Sequence, residues 1–197
     1  MGINLAQLPR KKKGERVLKV ILVGDPGVGK SSLINTYVHG KFKHSYQVTI
    51  GLDVSSKIIE IDGKEKKEII KLSINDIGGQ DRFVTIRHLF YPGAHLVMFV
   101  YDVTRLQSLK NLKTVWQEEL SQYNPPEEGG DIIQKILVGN KADLVDLRVI
   151  TDEEAESMRV ELECNTHILA SAKENKNVDE AFTILAQAFL NKAGVFK

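Results

Sequence analysis

Residues Gly24 to Ser31 read G-D-P-G-V-G-K-S, placed directly after the apolar run Val20-Ile21-Leu22-Val23 and directly before an amphipathic stretch. The pattern G-x-x-x-x-G-K-[ST] in that setting requires a strand that feeds a glycine-rich loop opening a helix. Such a loop aims several backbone N–H groups and a helix N-terminus at one point, and that point attracts phosphate oxygens. Its glycines keep Cβ atoms out of the way of an approaching anion. Lys30 is placed to reach the β- and γ-phosphates of a nucleotide, and the Ser31 hydroxyl to ligate Mg²⁺. Nucleotide binding is therefore the first expectation.

The rest of the chain alternates in the same way. Val17 to Val23 reads as a strand, Lys30 to His39 as a helix, and Lys41 to Ile50 as an exposed loop without a period. Two β-rich runs, Leu52 to Ile61 and Lys67 to Ile74, flank the turn signal Asp62-Gly63. A second loop with a short helix follows Asp76-Ile77-Gly78-Gly79-Gln80, and Ala94 to Val103 is a strand apolar enough to be covered on both faces. Leu106, Leu109, Leu112, Trp116 and Leu120 form a helical stripe that assigns Trp116 to the core. Ile132 to Gly139 is a strand, Thr151-Asp152-Glu153-Glu154 opens a capped helix, Thr166 to Ala170 is a short strand, and Val178 to Phe189 marks the last helix. Alternation of this kind predicts a three-layer α/β fold: a six-stranded, mostly parallel sheet with one antiparallel edge strand and about five helices.

Composition narrows the function. The 197 residues suit one domain, and a formal net charge of +1 supplies no bulk field for nucleic acid. The one cysteine, Cys164, rules out an internal disulfide framework and reads as a passive thiol in a reducing, cytoplasmic setting. No apolar run approaches the ~20 residues that span a bilayer. Asn140-Lys141-Ala142-Asp143 follows the strand Ile136-Leu137-Val138, at a carboxyl end where open α/β sheets bind ligands. Asp143 can accept from guanine's N1–H and exocyclic amine, whereas adenine would leave that carboxylate unpaired. Ser171-Ala172-Lys173, after the last strand, supplies a backbone N–H for the guanine carbonyl.

With G-D-P-G-V-G-K-S, T-I-G-L-D, D-I-G-G-Q-D-R-F, N-K-A-D and S-A-K in this order, the chain resembles the Ras superfamily of small GTPases, and within it the Rab branch. The resemblance runs from about Val17 to Leu190 and implies a Ras-like G domain of the P-loop NTPase class over 17–192, between a basic N-terminus, 1–16, and a short tail, 193–197. It implies a nucleotide site of Gly27, Val28, Gly29, Lys30, Ser31 and Ser32 on the phosphate side, with Asn140, Lys141, Asp143, Ser171, Ala172 and Lys173 around the base. Phe42 would pack against guanine, or alternatively anchor its loop in the core. Thr49 would bind Mg²⁺ when GTP is present, Asp76 would hold the metal through water, Gly79 would offer its N–H to the γ-phosphate, and Gln80 would orient the attacking water. Catalysis would rest on Gln80, Lys30 and Thr49. Loops around 41–51 and 76–91 would change with the nucleotide and be read by effector, exchange and activating proteins.

Several positions depart from the family pattern. Val54 and Asn75 stand where Rab proteins usually carry Phe and Trp, although Phe90 keeps the third member of that patch. Pro26 lies in the phosphate loop, and Ile77-Gly78 replaces the usual Thr-Ala. The C-terminal residues Asn191 to Lys197 contain no cysteine to prenylate, so a monomer without an intrinsic membrane anchor is expected. Two other readings compete with a hydrolysing switch. One is a nucleotide-bound pseudo-GTPase scaffold, against which Gln80 and Thr49 argue. The other is a phosphate-loop ATPase or kinase, against which N-K-A-D and S-A-K argue.

Overall fold

Apolar runs too dense to alternate build the centre of the sheet. Leu96–Asp102 (β4) is buried at every residue, as a strand covered by helices on both faces must be. The computed structural model describes residues 15–42, 52–63, 67–80, 87–124 and 133–194. Thr49 and the basic run Arg10 to Lys13 lie outside them.

The described elements are β1 (Glu15–Val23), α1 (Lys30–His39), β2 (Leu52–Asp62) and β3 (Lys67–Ile77), then β4 and a long helix, α2. The α2 helix comprises Leu106–Asn111, a π-helical segment Leu112–Gln117, and Glu118–Tyr123. β5 (Gln134–Asn140), α3 (Asp152–Glu161), β6 (His167–Leu169) and α4 (Val178–Lys192) complete the order. The strands form one six-stranded sheet, β2-β3-β1-β4-β5-β6. All pairings are parallel except β2 with β3, which puts the antiparallel strand β2 at an edge, as the hairpin signal predicts.

Two core clusters lie on opposite sides of the sheet. One joins Leu18, Val20, Leu22, Met98 and Val100 to Leu33 and Tyr37 of α1 and to Phe182, Leu185 and Phe189 of α4. The other joins Ile21, Val23, Val97, Phe99 and Tyr101 to Leu109, Leu112, Trp116 and Leu120 of α2 and Ala155 of α3. Alternate residues of each strand thus supply opposite layers, the consequence of the two-residue side-chain period. Trp116 is 2% exposed, so the stripe that assigned it to the core is correct.

Element bounds differ modestly from the pattern-based ones. β1 begins at Glu15, and β3 continues through Asp76 to Ile77 because it has neighbours on both edges to pair with. β5 begins at Gln134. The described end of the second loop holds a 3₁₀ turn, His88–Phe90, while residues 81–86, where the short helix is expected, lie outside the described set. Cys164 is buried, and burial pushes its thiol pKa up to about 12, consistent with a passive role.

Candidate functional site

The loops that follow β1, β3, β5 and β6 meet beyond the carboxyl ends of their strands. After β1 the chain turns through Gly27 and Gly29 at φ 76° and 97°, a left-handed conformation that side chains resist, and Gly29 caps α1 without any side-chain bond. The first turn of α1 therefore opens onto the loop with its N–H groups uncapped by side chains. Val28, Ser31 and Ser32 follow this path, Val28 buried and both serines partly exposed.

Lys30 is the first residue of α1 and is buried. Its Nζ curls back over the loop and donates to the carbonyls of Gly24 at 2.5 Å and Asp25 at 3.1 Å. Burial lowers its pKa to about 8 against the opposing pull of the Asp76 and Asp25 carboxylates. An ammonium desolvated in this way is stabilised by any anion brought beside it.

β3 delivers the second wall. Asp76, near the end of the strand, is 5% exposed. Gly79 packs on the phosphate loop so closely that an added Cβ would lie 2.9 Å from Gly24 O, from Lys30 Nζ and from Pro26 N. Gln80 follows, partly exposed. The geometry thus brings Lys30, Ser31, Asp76 and Gly79 to one place from elements far apart in sequence.

The loops after β5 and β6 are organised by Asn140. Its Nδ2 donates to Val28 O at 2.9 Å, and its Oδ1 accepts from Ala172 N at 3.2 Å, so one side chain ties together the loops after β1, β5 and β6. Lys141 takes a left-handed φ of 67° and its Nζ donates to Asp102 at 2.6 Å. Burial alone would push the Asp102 carboxyl up, but hydrogen bonds from Lys141 and Thr104 hold it below its ordinary range. The Asp143 carboxylate accepts from Ser171 Oγ at 2.6 Å, with the Lys173 ammonium 3.7 Å away. Thr36 Oγ1 of α1 donates to Ala172 O at 2.9 Å, locking this corner to α1. Phe42 packs against the core cluster that contains Val28 and Ala172.

Sequence reasoning missed a set of residues beside the phosphate loop. Arg105 Nη2 donates to Pro26 O at 2.9 Å, and Asp25 is bonded by Asn111 and Trp116. Arg87, in a segment without readable period, is 2% exposed and donates to Gly79 O. Asn75, one of the departures from the aromatic patch, instead donates to Val20 O at 3.2 Å, while its cross-strand partner Val54 is exposed. Among the described residues no helix is long and apolar enough to cross a membrane.

Comparison with known proteins agrees with this geometry. The sequence profile of the Ras family matches residues 19–191. The chain is 39% identical over 181 residues to the Ras-related protein Rab-1 of Theileria annulata, covering 92% of this chain and 78% of that protein. It is 40% identical over 176 residues both to the GTP-binding protein ypt2 of Schizosaccharomyces pombe and to the Ras-related protein Rab7 of Glycine max, in each case covering 82% of the relative and close to nine tenths of this chain, 89% and 88%.

Proposed function

Since the chain belongs to the Ras family of small GTPases and is Rab-like within it, we propose that it is a switch that binds GTP, hydrolyses it to GDP and phosphate, and presents loops whose arrangement depends on which nucleotide is held. The observation that carries this reading is the Asn140 junction, where one side chain donates to Val28 O of the loop after β1 and accepts from Ala172 N of the loop after β6. In this reading Gly27, Val28, Gly29, Lys30, Ser31 and Ser32 wrap the phosphates. Asp143 accepts from the two donors of guanine, Ala172 offers its N–H, Lys141 and Lys173 flank the base, and Phe42 closes one face.

Hydrolysis needs positioning more than a covalent nucleophile. Lys30 neutralises charge on the transferring group, Gly79 donates to it through its N–H, and Gln80 orients the attacking water. The donor set also suits Mg²⁺. Hydroxyls from Ser31 and from Thr49 of the first loop are hard oxygen ligands, and the buried Asp76 carboxylate would hold through water an ion that keeps several of its waters. When bound, Mg²⁺ draws charge from the β- and γ-phosphate oxygens. Effector, exchange and activating proteins are the partners such a switch requires.

No arginine occurs from Lys41 to Thr49, so the first loop brings no arginine of its own to the γ-phosphate. In relatives a partner's arginine is worth about 10³–10⁵ in rate, and unaided hydrolysis here is accordingly slow. Nucleotide content of the purified chain, followed by single-turnover phosphate release, tests the proposal. GTP or GDP is expected in the preparation, slow release from the native chain, and little release with retained GTP binding in Gln80→Leu. A preparation that binds ATP equally, or a Gln80→Leu variant as active as the native chain, overturns it.

A further inference from the structure

Next to the phosphate loop lies a partly buried polar cluster that the chemistry above does not use. The Asp25 carboxylate accepts from Trp116 Nε1 at 2.9 Å and from Asn111 Nδ2 at 2.8 Å. Asn111 and Trp116 are five apart, which in an α-helix would point them about 140° away from each other. The π-helical segment Leu112–Gln117 repeats its hydrogen bonds at that same spacing, so both side chains reach one carboxylate.

The indole has a second neighbour on its face. The Arg87 guanidinium carbon lies 4.5 Å from the Trp116 ring centroid, and Nη1 donates to Gly79 O at 3.3 Å. Glu119 pairs with the same guanidinium through both carboxylate oxygens and accepts from the Tyr91 hydroxyl at 2.9 Å. Lys30 Nζ sits 5.6 Å from that ring. One indole therefore touches the phosphate loop, the loop's lysine and the arginine that holds Gly79.

The Gly79 carbonyl shares a planar peptide unit with the Gln80 N–H, so a donor fixed on that oxygen sets the plane from which Gln80 departs. Two cations beside one ring repel each other, and Arg87 does oppose the charge on Lys30. An anion at the phosphate loop relieves that repulsion, and its departure restores it. We infer that Arg87 is a positioning residue that, braced on Trp116 and Asp25, holds the Gly79–Gln80 peptide against the phosphate loop while a γ-phosphate is present and separates from the indole when it leaves. The inference rests on the GTPase reading above.

Trp116 is the one tryptophan in the sequence, so its emission reports this contact without interference. In the native chain the emission is expected to differ between GDP and a non-hydrolysable GTP analogue, and to change during a single turnover at the rate of phosphate release. Arg87→Lys keeps the charge but loses the fork and the flat stacking surface. It should slow single-turnover hydrolysis about tenfold or more, the scale of one charge-assisted hydrogen bond. GDP affinity should stay within about twofold, since the fork is engaged by Glu119 and the Gly79 carbonyl, and the emission difference should flatten. Trp116→Phe, which drops only the N–H and some ring area, should show a smaller slowing. Silent emission in a native chain that does cleave GTP overturns this inference alone, as does a parallel loss of GDP and analogue affinity in Arg87→Lys. A native chain that neither binds nor cleaves GTP overturns the GTPase reading and this inference together. If Arg87→Lys does not fold, the native emission decides.

Discussion

Asp143 shows how much a single side chain carries in this site. Its carboxylate is almost wholly buried, accepts from Ser171 and lies near the Lys173 ammonium, so its orientation is set before any ligand arrives. In Asp143→Asn the side-chain oxygen still accepts from Ser171, while the amide presents donors where guanine also has donors. Two charge-assisted bonds are lost, and GTP affinity should fall about 10²–10⁴-fold. Xanthosine triphosphate, whose C2 carbonyl accepts from the new amide, should gain. Competition between the two nucleotides for each variant checks this, and an unaltered guanine preference would refute the assignment. Asp143 and Lys30 were legible in the sequence because each belongs to a short motif that follows a strand. Arg87 was not. Nothing local marks it as buried, and its burial depends on Glu119 and Trp116, residues about thirty positions away that α2 brings beneath it.

Among the elements, α3 is the one whose start the sequence specifies most fully. Thr151 accepts from the Glu154 N–H at 3.2 Å, and the Glu154 carboxylate accepts from the Thr151 N–H at 2.9 Å, a reciprocal capping box. Three acidic residues in the first turn add favourable charge at the positive end of the helix. Thr151→Ala should cost about 0.5–2 kcal/mol of stability, read as a shift of the urea midpoint with unchanged slope. Because α3 stands away from the nucleotide loops, GDP affinity should not follow; a midpoint that does not move would show the box to be redundant. The same pattern reasoning found the buried stripe of α2 but not its π-helical segment. Leu109, Leu112, Trp116 and Leu120 fit an α-helical stripe as well as anything does, and the added residue of a π turn hides within that tolerance. Only the shared carboxylate of Asp25 reveals that Asn111 and Trp116 are in line.

At the scale of the whole molecule, the loops of the proposed nucleotide site hang from strands across most of the sheet, and Asn140 and Thr36 tie them into one unit with α1. Ligand binding should therefore stabilise the whole domain and not one corner of it. At a GDP concentration a hundred times its dissociation constant the gain is about 2.7 kcal/mol, or roughly 5–11 °C for a chain of this size. Thermal melts over a GDP series, with and without a magnesium chelator, should show a rising Tm that the chelator lowers. A Tm indifferent to GDP would separate the loops from the cooperative unit.

The β2–β3 hairpin bears on how force enters this molecule. Its register is unbroken from Leu52↔Ile77 to Asp62↔Lys67, so both loops at the phosphate end leave from the same terminal rung. β3 is held on its other side by β1, whereas β2 is an edge strand bonded only to β3. For the same direction of pull, the chain just before Leu52 loads a strand held by one ladder, whereas the chain after Ile77 loads a strand held by two. The two loops are chemically a pair but mechanically unequal, one moored by a single line and the other by two.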